Sequence, residues 1–126
     1  MEQVTNFRPK ERVAVDSERL SALYSELGHN AAEDVVCRAM EELALRLSHC
    51  DRLYRAAELD KLRKSSRSLI AIAEQIGMAE LAQVAEYVTR CIDARDDVAL
   101  AATLARLMRI GEGSLSAMWD LQDITI

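Results

Sequence analysis

Aromatic side chains are scarce in this chain, 4% of 126 residues, and it holds a single proline, four glycines and three cysteines. So few aromatic residues, against many Ala, Leu, Ile, Val and Met, work against a sheet and for helices. With Pro9 as its one proline, everything beyond the first ten residues is free of that helix breaker. No stretch reaches the roughly 18 to 20 uninterrupted apolar residues of a membrane-spanning helix. Met1 to Lys10 lacks the apolar centre of a signal peptide. We therefore expect a cytoplasmic protein with no membrane partner.

Other absences narrow the chemistry. There is no glycine-rich phosphate loop, no Ser/His/Asp grouping and no paired-carboxylate site. The Glu26 and His29 spacing imitates a metal-carboxylate bundle, but Gly28 between them breaks the helix such a motif requires. Neither a metal nor a cofactor is expected. Cys37, Cys50 and Cys91 are odd in number, far apart and without a Cys-x-x-Cys pair, which makes them reduced thiols buried among helices. A formal charge of -5 excludes nucleic acid as the main partner, because phosphate contacts need a concentrated positive face.

What is present is helical period. Residues 1–15 show none and form a loose arm; residues 16–126 read as one domain. Asp16 or Ser17 caps a short first helix that buries Leu20, Leu23, Tyr24 and Leu27 and stops at Gly28. Asn30 and Glu33 form a capping-box-like start for a long second helix to about Ala57. Its seam is Val36, Met40, Leu43, Leu47, Cys50, Tyr54 and Ala57, at alternating steps of four and three. A third helix, Leu59 to Ile76, carries Leu59, Leu62, Ser66, Leu69, Ala73 and Ile76 and ends at Gly77.

The fourth helix, Ala79 to Ala94, buries Leu81, Val84, Val88, Cys91 and Ile92. A fifth starts near Val98 after the Arg95-Asp96-Asp97 corner, with Ala101, Leu104, Met108, Gly111, Leu115 and Met118 in phase. That phase favours one long helix, although two interior glycines at ~1 kcal/mol each leave a kink open. From Gln122 a frayed tail is expected. Short connections make successive helices antiparallel, so the expected fold is all-α: an up-down-up-down four-helix bundle with a short extra N-terminal helix.

Order and one stretch together bear a family resemblance. Arg67-Ser68-Leu69-Ile70-Ala71-Ile72-Ala73-Glu74-Gln75-Ile76-Gly77, followed by Ala79-Glu80-Leu81, resembles the signature helix of histidine-containing phosphotransfer (HPt) domains, and the likeness of layout covers about residues 16 to 121. In that family the stretch begins with the phosphate-accepting histidine, has lysine three residues later and glycine next, and closes on glycine ten residues after the histidine. Counting back from Gly77 puts Arg67 at the histidine position, Ile70 at the lysine and Ala71 at the first glycine.

A relay nucleophile must attack an aspartyl phosphate and release the phosphoryl group again, as an imidazole nitrogen can. A guanidinium stays protonated and has no free lone pair, so Arg67 cannot carry phosphate, though it can clamp a phosphate or carboxylate. The resemblance thus implies a module of two-component signalling that is no enzyme. It would bind a response-regulator receiver domain, or a histidine kinase component, through Lys64, Arg67, Ser68, Ile70, Ala71 and Arg63.

Two competing readings stand beside this one. His49, at about the height of Arg67 on a neighbouring helix, is the available substitute acceptor, which would keep the chain in the relay class; His29 belongs to the Gly28 turn. The other is a structural or adaptor bundle with no receiver partner, possible as a homodimer through an exposed helix pair.

Between Asp51 and Arg67 the cations Arg52, Arg55, Lys61, Arg63, Lys64 and Arg67 outnumber the acids Asp51, Glu58 and Asp60. Receiver domains present an acidic pocket, to which such a face is complementary; a solvated helical face has the same composition. Ser66, on the seam, is expected to bond back to its own helix. Ile70 reads equally as surface contact or as packing against the fourth helix. Trp119 and Tyr87 read as core or rim residues.

Overall fold

The computed structural model describes residues 16–125, so the arm at residues 1–15 lies outside the described part. It is all-helical: α1 (Ser17–Leu27), α2 (His29–Arg55), α3 (Leu59–Gln75), α4 (Ala79–Asp93) and α5 (Asp97–Thr125), with no strand among the described residues. No helix there is long and apolar enough to cross a membrane. Helix α3 packs on α2 and α4, α5 packs on α4 and returns to α2, and α1 lies against α2.

Each terminus has a local cause. The Asp16 carboxylate accepts from the backbone N–H of Glu18 (3.1 Å) and Arg19 (3.2 Å), satisfying two orphan donors of α1. The backbone N–H of Asp16 also donates to Gly77 O at 2.7 Å, which ties the start of α1 to the α3–α4 turn. The expected cap at Asn30 does not form. Gly28, at φ 84° and ψ 162°, ends α1 and begins α2 at once, its carbonyl accepting from Ala32 N–H at 3.0 Å. Asn30 therefore lies inside the first turn of α2, and no side chain caps that end.

Helices α2, α3 and α4 end alike. The amides of Glu58, Met78 and Asp96 reach back to the carbonyls of Leu53, Ala73 and Cys91, and those of Ala57, Gly77 and Arg95 to Tyr54, Glu74 and Ile92. This is the Schellman pattern, which needs a left-handed residue just past the helix. Gly77 (φ 79°) fills that position once; Ala57 (φ 58°) and Arg95 (φ 55°) fill it without the glycine that would have signalled it. Helix α2 accordingly stops at Arg55, two residues short of the expected end.

One core joins all five helices. It includes Leu23, Val36, Met40, Leu43, Leu47, Cys50, Leu62, Leu69, Ile76, Leu81, Val84, Val88, Leu104, Leu107 and Met118. Tyr54, Leu59, Cys91 and Ile92 are half-buried against it, while Leu27 and Ala57 are exposed.

On α5 the expected seam is rotated. Ala101 is exposed, and Leu100, Leu107 and Ile110 are buried in its place. The helix is continuous through Gly111 and Gly113 and runs to Thr125, past the point where an irregular tail was expected. Gly111 is where α5 meets α2: a Cβ built on it would lie 2.5 Å from Leu47 Cδ1, 2.9 Å from Cδ2 and 3.2 Å from Cγ.

Of the cysteines, Cys50 is buried and Cys37 and Cys91 are half-buried, and none of the three is in a disulfide. Trp119 is exposed, and Tyr87 is half-buried.

Candidate functional site

The third helix is strongly two-sided. Leu62, Ser65, Ser66, Leu69 and Ala73 face inward. The positions one turn apart on its outer side, Lys64, Arg67 and Ala71, are exposed, with Ser68 half-buried beside them. Spacings of three and four place these four residues on one stripe. The two cations stand next to small side chains, so a partner can approach the helix closely there.

Arg63 and Ile70 lie on the flank turned toward α4. Ile70 is half-buried and packs on the core. Arg63 is committed: Nε donates to Asp93 Oδ1 at 2.8 Å and Nη2 to Asp93 Oδ2 at 2.9 Å. This bidentate fork braces the start of α3 against the end of α4. It holds the Asp93 carboxyl below its usual range through the two hydrogen bonds and the Arg63 charge, with the Arg67 charge adding in the same direction. Asp93 is thus a site residue that sequence reasoning missed; thirty residues separate the partners, and no local pattern announces the pair.

Two more of the six cations are neutralised nearby. Lys61 Nζ lies 2.7 Å from Glu58 and Arg55 lies 3.1 Å from Asp51. Among the described residues Lys64, Arg67 and Arg52 make no ion pair. The basic segment therefore resolves into three paired cations and three open ones, two of which share the outer stripe of α3.

Beneath this stripe sits a small polar cluster in the core. The Cys50 thiol donates to Ser65 Oγ at 3.6 Å and lies 4.0 Å from Ser66 Oγ. Ser66 thus faces α2, where back-bonding within its own helix was expected. Burial pushes the Cys50 thiol up from its ordinary pKa, which keeps it protonated and able to donate. The contact also fixes the register of α2 on α3.

That register places His49 near the level of Ser65 and Ser66, close to the expected height. His49 is exposed, in a shallow hollow that Glu42, Leu45, Arg46 and Arg52 line with it, all on α2. No hydrogen bond or ion pair joins it to Arg67. His29 makes an i,i+4 contact with Glu33 at 3.7 Å and packs its ring against Tyr24 at 5.5 Å. Among the described residues no three His, Cys, Asp or Glu side chains gather as a metal site.

Chemically, the α3 stripe is an array of fixed cations suited to holding an anionic surface. A guanidinium cannot form a phosphoryl intermediate, and among the described residues the Ser68 hydroxyl makes no hydrogen bond to a histidine or carboxylate. No family model matches the chain, and neither a curated protein nor a solved structure shows significant similarity to it.

Proposed function

We propose that this chain is an HPt-like, up-down-up-down four-helix bundle of cytoplasmic two-component signalling that binds a receiver domain without accepting phosphate. The observation that carries this reading is Arg67, exposed and unpaired at the middle of the Lys64, Arg67, Ser68 and Ala71 stripe. On the register counted back from Gly77, this permanent cation stands where the resembled family has its nucleophile. A receiver's acidic pocket would meet Arg67 and Lys64, with Ser68 and Ala71 giving clearance and Ile70 an apolar edge. Arg63 would contribute indirectly, through its brace to Asp93. A protein that occupies the pocket and takes no phosphate acts as a modulator: it withholds the receiver from its kinase component or its outputs.

The test is titration of the chain against receiver domains, phosphorylated and unphosphorylated, with wild type and Arg67→Glu. We expect salt-sensitive binding, weakened about tenfold or more by the charge reversal. No acid-labile phosphate should appear on this chain. Label that does appear, and disappears in His49→Ala, would replace this reading with the relay one, which the exposure of His49 keeps physically open. If no receiver binds either form, the adaptor reading takes over.

A further inference from the structure

Three carboxylates, Asp93, Asp96 and Asp97, gather at the corner between α4 and α5, and two of them have a local use. Asp96 Oδ1 accepts from the Ala99 backbone N–H at 3.0 Å, and Asp97 stands in the first turn of α5, where the partial positive charge of a helix N-terminus favours an acid. Asp93 has no such use. It is the last residue of α4, the end at which a helix dipole disfavours a carboxylate. The cation in that last turn, Arg90, is turned to Glu86 at 3.1 Å. What compensates the Asp93 charge comes from the neighbouring helix: the Arg63 fork at 2.8 and 2.9 Å, with Arg67 one turn further along α3.

The groups that hold this internal carboxylate are of the same kind as those that would hold a carboxylate or phosphate from outside. We propose that Asp93 is an internal competitor for the anion that docks on the Lys64 and Arg67 stripe, and so sets how acidic a partner must be to be held there. The inference deepens the docking reading and rests on it. While Asp93 is charged, it cancels Arg63, and an incoming anion meets the net charge of Lys64 and Arg67 alone. With that charge removed, the anion meets all three cations, and Arg63 offers a free planar fork one turn from Arg67. Both partners of the fork are open to solvent, Arg63 35% and Asp93 55%, so an outside oxyanion can reach the guanidinium that Asp93 now fills. The Asp93 carboxyl also responds to the Arg67 charge, which couples the two positions.

A unit charge about 7 Å from a bound monoanion changes its affinity about threefold in water, and more for a dianion. The probe is inorganic phosphate, titrated at constant ionic strength into the full chain while the side-chain Nε–H resonances of Arg63 and Arg67 are followed by NMR. In wild type we expect weak binding seen at Arg67, with Arg63 little affected. In Asp93→Asn the affinity should rise about threefold or more, and the Arg63 resonance should move together with that of Arg67. Asp93→Glu keeps the charge and should stay near wild type, which simple loosening of α3 from α4 would not give. The gain in Asp93→Asn should shrink as salt is raised. Asp93 is exposed, so unchanged far-UV circular dichroism will show that the fold survives.

Equal phosphate affinity in wild type and Asp93→Asn would overturn the proposal, as would no response at Arg67 in either protein or an equal gain in Asp93→Glu. Phosphate is titrated with no receiver present, so the two readings fail separately. Receivers that do not bind sink the assignment of the partner, while a flat response to Asp93→Asn sinks the competitor and leaves the receiver titration to stand by itself.

Discussion

Replacing Gly111 with alanine sets two opposing effects against each other, and the structure says which wins. In an exposed helix interior the change would gain about 1 kcal/mol, the difference in helix propensity. At Gly111 the new methyl would meet Leu47 at 2.5 Å from Cδ1 and 3.2 Å from Cγ. Leu47 is only 4% exposed, and because the branch carbon itself is involved, a turn of its terminal methyls does not clear the contact. Relief requires α5 to move off α2 or Leu47 to leave its rotamer, which costs about 1–3 kcal/mol in a packed core. The net expectation is a destabilisation of up to about 2 kcal/mol, or several degrees in melting temperature for a domain of this size.

The same substitution should change sign when Leu47 is gone. Leu47→Ala alone should cost about 2–5 kcal/mol by leaving a cavity. On that background Gly111→Ala should stabilise by about 1 kcal/mol, since it keeps its propensity gain and partly fills the void. Urea unfolding of the four proteins, followed by circular dichroism at constant m value, completes the double-mutant cycle. Stabilisation of the wild-type background by Gly111→Ala would refute the close α2–α5 crossing on which the fold depends.

Three further expectations use other parts of the molecule. Ala57→Gly and Arg95→Gly, at the two left-handed helix ends that lack glycine, should each raise stability by about 0.5–1 kcal/mol; a loss at either would contradict the backbone conformation there. Asp93→Asn removes the brace to Arg63, and because the folded carboxyl sits below its ordinary pKa, its contribution is present at neutral pH and lost as pH falls through the depressed value. The melting-temperature gap between wild type and Asp93→Asn should therefore close on acidification, and a gap independent of pH would exclude the brace as its cause. In the native protein a thiol reagent should modify Cys37 and Cys91 well before Cys50, which is buried and held protonated, and equal rates in native and unfolded protein at Cys50 would contradict its placement.

What the sequence determined by itself was everything with a local cause. Asp16 caps α1 because a carboxylate beside orphan amides needs no distant partner. Gly28 and Gly77 mark helix ends because positive φ favours glycine, and α2, α3 and α4 follow from apolar residues at steps of three and four. The same logic misplaced Asn30 and the end of α2, because Gly28 could serve two helices and Ala57 accepts a strained conformation that its side chain does not announce.

Tertiary structure decided which side of a helix faces in and which charges stay free. Helix α5 is apolar on more than one face, so its period alone cannot choose a seam. Packing against the other helices chose it by burying Leu100, Leu107 and Ile110, with Ala101 turned outward and Trp119 left exposed. Six cations in one segment look alike as letters. Only the meeting of α3 with the end of α4 neutralised Arg63 on Asp93 and left Arg67 open, because an ion pair forms between charges close in space, whatever their distance along the chain.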